Sequence, residues 1–181
     1  MKRFVMGVCA LFLAASCGDG PSSPSPGTPL PTTVNFTAAL SSQNEVPPIT
    51  NAENPARGNA RIQMNLTRDA AGAITSATWN FVFDVTGFPA GSTIILTHIH
   101  EAAPGVNGPV RVDSRLSAAT GVVLTTGAQS NLTYTNLAPA TDAAALAQRM
   151  LDNPNGFYFN SHTPLNPGGA IRGPLVRVVA P

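Results

Sequence analysis

The chemistry of this sequence is concentrated in its three histidines. His98 and His100 are separated by Ile99, in a stretch that predicts a strand. Successive side chains of a strand point to opposite faces, so both imidazoles are expected on one face, with Ile99 on the other. His162 follows an aromatic run and is expected at the end of a second strand. The three histidines together predict a metal site.

Three imidazoles are a chemically sensible ligand set for a transition metal. Imidazole suits copper, zinc, iron and nickel, and three ligands leave a coordination position open for water, a substrate or a ligand from a partner. The competing interpretation is structural. Ile94 and Leu96 share the predicted face of His98 and His100, so the rings can be buried and hydrogen-bonded to backbone groups or to Asn107. The choice between the two interpretations depends on where His162 lies relative to His98 and His100.

Composition excludes several classes of protein. The chain has 181 residues, of which 43% are hydrophobic and only 10% charged, and its formal net charge is +1. This supports one domain with a real core and, without a basic patch, predicts no nucleic-acid partner. Cys9 and Cys17 are the only cysteines, both near the N-terminus, so the remainder offers no disulfide, zinc-thiolate site or cysteine nucleophile.

No catalytic motif accompanies the histidines. Ser130 and Ser161 have no visible His/Asp partners in a triad arrangement, and neither a phosphate-binding glycine loop nor a GxSxG elbow occurs. The sequence therefore favours a binding protein over an enzyme.

The N-terminal region predicts export. Lys2 and Arg3 precede an apolar run over residues 4–15, which is too short to span a membrane as a mature helix. Residues 1–17 resemble a bacterial lipoprotein signal that ends at the lipidation residue, Cys17. The Pro/Ser/Gly-rich residues 18–33 predict a disordered tether, and residues 34–181 predict the folded domain. We expect a lipid-anchored protein of the cell envelope, on the outer membrane, with a secreted protein as the alternative.

The dominant hydrophobic period in the domain is two. Apolar and polar residues alternate over residues 34–40, 58–66 and 79–85, which predicts strands with one polar face. Further strands are predicted at residues 93–100, 110–113, 121–124, 130–134, 157–161 and 171–178. About nine short strands separated by Gly/Pro turns favour an all-β fold, an antiparallel Greek-key β-sandwich.

One short helix is predicted between the later strands. Thr141 is its expected N-cap, Asp142 suits the positive end of the helix dipole, and Leu146 and Met150 form an apolar stripe.

Four motifs, in order along residues 36–175, resemble the CHRD domain, a family named for chordin that also occurs in bacterial exported proteins. They are Asn44-Glu45-Val46-Pro47-Pro48, His98-Ile99-His100 with Asn107-Gly108-Pro109, Asn160-Ser161-His162-Thr163, and Gly168-Gly169-Ala170-Ile171-Arg172-Gly173. Ala170 stands where a glutamate is common, and Ser161 where a valine is common. The resemblance implies an all-β domain outside the cytoplasm and, by analogy with chordin's binding of growth factors, an interaction module for an envelope or extracellular protein or a glycan.

A weaker resemblance connects the same histidines to the copper site of Cu/Zn superoxide dismutase, also a Greek-key sandwich. It implies His98, His100 and His162 as ligands of copper, with zinc as the alternative ion, and Arg172 as a guide for an anion. A dismutase-like redox enzyme is the third functional hypothesis. That family's fourth copper histidine, bridging histidine, zinc site and disulfide have no counterparts here.

Two carboxylates and one guanidinium complete the candidate site. Glu45 and Glu101 are candidates for orienting the histidines, and Arg172 is a candidate for guiding an anion. For Arg172 the sequence favours a structural ion pair with Glu45 or Glu101, and for Glu45 it favours a solvated or turn-stabilising group in a Pro-rich loop.

Overall fold

The computed structural model describes residues 30–139 and 142–179. The predicted signal over residues 1–17 with its Cys17, most of the predicted tether, and Thr141 lie outside the described residues. Within them the chain forms one α-helix, α1 (Ala143–Asp152), and eleven strands. The strands are β1 (Thr33–Ser41), β2 (Arg57–Arg68), β3 (Ile74–Thr86), β4 (Ser92–Ile94), β5 (Leu96–Glu101), β6 (Val110–Asp113), β7 (Val122–Leu124), β8 (Gln129–Leu137), β9 (Phe157–His162), β10 (Ile171–Pro174) and β11 (Val176–Arg177).

Nine of these strands form one sheet in the order β6-β5-β9-β10-β1-β2-β3-β8, with β11 also paired to β1, and every pairing is antiparallel. Strands β1 to β3 form a meander, and the late strand β10 returns to lie beside β1, as in a Greek key. The prediction of an all-β antiparallel fold with one short helix is confirmed.

The large sheet curls so that one of its faces surrounds the core. Phe81 on β3 contacts Phe159 on β9 with ring centroids 5.3 Å apart, although β3 and β9 are separated by three strands in the sheet order. Trp79 and Phe83 are buried in the same cluster. Helix α1 packs against β3 and adds the predicted apolar residues Leu146 and Met150 to the core, both fully buried. Its N-cap is Asp142 and not the predicted Thr141; the Asp142 carboxylate accepts hydrogen bonds from Ala144 N and Ala145 N.

Two predicted strands are interrupted. The strand expected over residues 93–100 is divided at Ile95, where the backbone N–H donates to His162 O at 2.9 Å. Residues before the break pair with β7 in a separate two-stranded sheet, and Ile94 is fully buried in the core. The prediction that Ile94 shares a face with the histidines is therefore wrong. The last predicted strand is likewise divided at Leu175, whose N–H donates to Phe157 O.

Candidate metal centre

The three histidines lie on the face of β5 and β9 that is turned away from the core. In the antiparallel pairing of these strands, His98 is opposite Asn160, His100 is opposite Tyr158, and Leu96 is opposite His162. The intervening residues, such as Phe159, belong to the core. Strand pairing thus brings together residues that are 64 positions apart in the chain.

The rings converge closely enough to share one ion. One nitrogen from each ring lies within 4.8 Å of the others, and His98 Nδ1 is 3.3 Å from His162 Nε2. Metal–nitrogen bonds of about 2.0–2.1 Å in tetrahedral or trigonal geometry place nitrogens roughly 3.3–3.6 Å apart. The pair formed by His98 and His162 already has this separation. The residues keep only 5–8% of their surface exposed, so the group is nearly closed to solvent.

The nitrogen of each ring that faces away from this group has an oxygen partner. His100 Nδ1 lies 2.9 Å from Gly108 O, and His162 Nδ1 lies 2.9 Å from Pro167 O. A carbonyl oxygen only accepts, so each Nδ1 carries the proton and donates it, and each Nε2 keeps a free lone pair. His98 Nε2 lies 3.5 Å from the carboxylate of Asp113.

The three neutral rings carry one N–H each, which is one donor fewer than the four contacts that their nitrogens make. If His98 carries its proton on Nε2 toward Asp113, then its Nδ1 lone pair faces the lone pair of His162 Nε2. If the proton is on Nδ1, His98 donates it to His162 Nε2, and His98 Nε2 then presents a lone pair to the Asp113 carboxylate. His100 Nε2 is buried and has no hydrogen-bond partner in the described part of the chain. With the His98 proton on Nε2, a lone pair from each ring faces inward, an arrangement that is unfavourable for the protein alone and suits a cation.

All three rings are held neutral. Burial lowers the pKa of His98 to about 4, with a further contribution from the adjacent His162 that outweighs the opposing effect of Asp113. Burial also lowers the pKa of His100 and of His162, although the carbonyl groups of Gly108 and Pro167 oppose the shift. Neutral imidazole is the form that binds metals. The three histidines can therefore hold a metal ion at neutral pH without first losing a proton.

The family comparison agrees with this architecture. A family model described as CHRD domain matches residues 36–175, which include every strand from within β1 to β10. The chain belongs to the CHRD domain family. No curated protein and no solved structure matches the chain. All three histidines, Glu45 and Arg172 fall within the CHRD match, so the candidate centre is part of the domain itself.

Glu45 and Arg172 form a buried ion pair beside the histidines of the CHRD domain. Arg172 Nε donates to Glu45 Oε2 at 2.7 Å, and the two residues are 5% and 3% exposed. Burial raises the pKa of Glu45, and Arg172 opposes that shift. Arg172 also donates to Asn107 Oδ1 at 2.6 Å, which fastens the loop carrying the neighbouring Gly108. Of the two ion pairs predicted for Arg172, the pair with Glu45 is the one observed.

Tyr158 links this ion pair to the centre. The Arg172 Cζ atom lies 4.6 Å from the centre of the Tyr158 ring, which is itself stacked on His100 with centroids 4.8 Å apart and an interplanar angle of 5°. The Tyr158 hydroxyl accepts from Gly108 N at 3.2 Å.

Gly169 packs against the Glu45 carboxylate of this ion pair. A Cβ there would lie 2.6 Å from Glu45 Oε2 and 2.8 Å from Asn160 Nδ2, and its φ of +137° disfavours other residues.

Glu101 has different partners from those predicted. Its carboxylate accepts from Arg111 Nε at 2.6 Å and from Arg149 Nε at 2.8 Å. These hydrogen bonds lower the pKa of Glu101 and connect β6 and α1 to the end of β5. None of the described contacts of Glu101 is with a histidine or with Arg172.

Sequence reasoning missed Asp113 and Tyr158, which are parts of the centre, and Glu53, which accepts from Thr163 Oγ1 in the loop that follows His162. Asp113 ends a strand that was predicted with its observed bounds, and an antiparallel hairpin from residues 98–100 to 110–113 would have placed it opposite His98. Tyr158 and Glu53 carried no such signal, because their roles depend on strands and loops distant in the sequence.

No helix in residues 30–139 and 142–179 combines the length and apolar character needed to cross a membrane.

Proposed function

We propose that this CHRD domain binds one transition-metal ion, copper in preference to zinc, through His98 Nδ1, His100 Nε2 and His162 Nε2. The observation that carries the proposal is the arrangement of the opposite ring nitrogens, each of which faces an oxygen acceptor. Proteins orient metal-ligating histidines in this way, with a carbonyl or carboxylate on the second nitrogen. Copper is preferred because Cu²⁺ binds nitrogen ligands more tightly than the other divalent first-row ions, including Zn²⁺.

The proposed role is metal handling. A bound cation would satisfy the three inward lone pairs at once, including that of His100 Nε2, which has no partner in the described residues. Three protein ligands leave at least one position for an exchangeable ligand. That arrangement suits capture and transfer of an ion.

The proposed location is the cell envelope, with the chain exported and attached through a lipid on Cys17. Support comes from Lys2 and Arg3, the apolar run over residues 4–15 and the small residues before Cys17. A tether over residues 18–33 would hold the metal-binding domain away from the membrane, for which we propose the outer membrane. Metabolic labelling with radioactive palmitate should mark the wild type, whereas Cys17→Ser should remain unlabelled; a labelled Cys17→Ser chain would refute lipidation at this residue.

The deciding experiment is titration of the purified full chain with Cu²⁺ and with Zn²⁺. We expect one ion per chain, with tighter binding of copper, and nitrogen hyperfine structure in the electron paramagnetic resonance spectrum of the copper form. A His98→Ala/His100→Ala double variant and a His162→Ala variant should both lose this site. The His98→Ala/His100→Ala/His162→Ala triple variant retains Cys9 and Cys17 and therefore measures any binding by thiols. Equal binding by the wild type and the triple variant would refute the proposal.

A second candidate is an interaction module for an envelope protein or a polysaccharide. It is favoured by the surface around the centre, where Val46, Val106 and Leu165 are exposed by 36–54%. A groove of about 320 Å³ is lined by Val106 together with Phe157 and Tyr158. This function would gain support if the wild type bound no metal while Val106→Asp abolished binding to an isolated envelope polysaccharide or protein.

A further inference from the structure

The loop that positions His162 is itself held by a buried carboxylate. Glu53, in the segment between β1 and β2, accepts from Thr163 Oγ1 at 2.6 Å and from Asn166 Nδ2 at 2.6 Å through the same oxygen, Oε2. Thr163 Oγ1 in turn accepts from Asn166 N at 3.1 Å. The next residue, Pro167, supplies the carbonyl oxygen that accepts from His162 Nδ1. Hydrogen bonds, together with the peptide link between Asn166 and Pro167, therefore connect Glu53 to the ring of His162.

Glu53 is an unusual residue to bury at this position. It is 2% exposed, and no cationic side chain of residues 30–139 and 142–179 forms a salt bridge with it. A buried carboxylate without a cation is costly unless several donors compensate it. Here the compensating donors belong to the loop that follows His162, so the carboxylate orders that loop.

The same segment orders the loop that holds His100. Glu45 pairs with Arg172, which donates to Asn107, the neighbour of Gly108 whose carbonyl fixes His100 Nδ1. Two carboxylates eight residues apart thus control the two carbonyl groups that orient two of the three rings. Glu45 works through a cation, whereas Glu53 works through neutral donors.

We infer that Glu53 is a positioning residue for His162. By fixing Thr163 and Asn166 it holds the Pro167 carbonyl in place, which keeps the His162 proton on Nδ1 and leaves Nε2 free toward the centre. The consequence for metal affinity rests on the proposed function. The consequence for the protonated nitrogen of His162 does not, because it concerns the protein without metal.

The test compares Glu53→Ala with Glu53→Gln in the purified full chain. Glu53→Gln retains an oxygen that can accept from both Thr163 and Asn166, so it should behave as the wild type does. Val34→Ala is the control for lost stability. Val34 is a buried core residue of β1 and lies seven positions before Ser41, which pairs with Arg172. Thr163→Val removes one of the two donors to Glu53 and serves as the milder variant if Glu53→Ala does not fold.

The first measurement is long-range ¹H–¹⁵N correlation of the His162 ring after chelation of all metal. The wild type, Glu53→Gln and Val34→Ala should show a single form protonated on Nδ1, whereas Glu53→Ala and Thr163→Val should show a mixture with the form protonated on Nε2. The second measurement is copper titration. Glu53→Ala should weaken copper binding by roughly 10-fold or more, the range seen when partners of ligating histidines are removed, while Val34→Ala should leave the affinity unchanged.

The outcomes separate the two proposals. If the wild type binds no copper but Glu53→Ala still changes the protonated nitrogen of His162, the positioning role stands and the metal proposal fails. If the folded Glu53→Ala and Thr163→Val variants both keep His162 protonated only on Nδ1, the positioning role is overturned, whatever the copper titration shows.

Discussion

Strands β5 and β9 are buried on both faces, but the two faces differ in what covers them. On the inner face, Ile99 and Phe159 are fully buried among apolar side chains, and Phe159 contacts Phe81 and Phe83 with ring centroids 5.3 and 5.2 Å apart. On the outer face, His98 and Asn160 are also buried, yet they are covered by polar loops. The inner face gains free energy from removing apolar surface from water.

The outer face gains little from burial, because each of its polar groups loses water and needs a replacement partner. The loops provide these partners through Gly108 O, Pro167 O and the ion pair of Glu45 with Arg172. Even so, buried side-chain atoms of His100, Glu45 and Asn160 have no hydrogen-bond partner in the described residues. The inner face therefore maintains the fold, and the outer face carries the group of histidines that could hold an ion. Substitutions on the inner face should change stability more than metal affinity, and substitutions on the outer face should do the reverse unless they leave a buried charge.

Phe159→Ala should give the largest loss of stability. Removing the ring leaves a cavity between β9 and β3, for which we expect about 3–5 kcal/mol in the free energy of unfolding. Urea denaturation of the metal-free protein measures this value. The folded fraction should retain its copper affinity, because the ring does not reach the outer face. A large loss of affinity in the folded protein, with little change in stability, would contradict the separation of the two faces.

Arg172→Met tests the case in which an outer-face change does affect stability. It leaves the Glu45 carboxylate buried without its cation, which should cost about 3 kcal/mol, near the low end for broken buried pairs. We expect the low end because burial already raises the pKa of Glu45, so the carboxyl group can take up a proton instead. The Glu45→Gln/Arg172→Met double variant should recover part of the loss in urea denaturation. If both variants lose the same stability, the charge of Glu45 is not the cause.

Acid should lower the free energy of unfolding of the metal-free protein through the buried histidines of the outer face. The pKa of His98 falls from its usual value of 6.5 to about 4 on folding, so between these pH values the unfolded chain binds a proton that the folded protein excludes. The free energy of unfolding therefore has its full value above about pH 6.5 and decreases as the pH falls toward 4, by about 3 kcal/mol from His98 alone. Urea denaturation of metal-free protein at several pH values measures the slope.

The matched control for the pH experiment is the His98→Gln/His100→Gln/His162→Gln variant, which lacks all three titrating rings but keeps Glu45. Because the raised pKa of Glu45 has the opposite effect on stability and is common to both proteins, the difference between their slopes belongs to the histidines. Parallel curves for the two proteins would show that the histidines are not held neutral by the fold.

Local pattern was enough to predict much of the fold. The alternation of apolar and polar residues identified the long strands, and the spacing of His98 and His100 placed both rings on one face, because neither inference needs information from elsewhere in the chain. The same rule failed at Ile95. There a backbone hydrogen bond to His162, 67 residues later, ends the alternation, and such a contact leaves no periodic signal in the sequence.

The convergence of the candidate site is set by long-range pairing. His162 meets His98 only because β9 lies beside β5, with the register that sets Asn160 opposite His98. Tyr158, opposite His100, depends on the same register, whereas Asp113 is placed opposite His98 by the pairing of β6 with β5. The presence of most strands was predictable from sequence, but the points at which two of them divide and their order in the sheet depend on packing of the whole core.

Tyr158→Phe should have the smallest effect and gives the finest comparison of the two faces. The change keeps the ring that stacks on His100 and removes the hydroxyl that accepts from Gly108 N at 3.2 Å. We expect a loss of about 1 kcal/mol in unfolding free energy, the usual net value of one hydrogen bond. Because Gly108 also fixes His100 Nδ1, copper affinity should fall by several-fold, less than for Glu53→Ala. Tyr134→Phe, a hydroxyl deletion on β8 outside the centre, is the control and should leave copper affinity unchanged. An equal loss of affinity in both variants would show that Tyr158 acts through general stability, whereas a loss confined to Tyr158→Phe would assign its hydroxyl to the outer face.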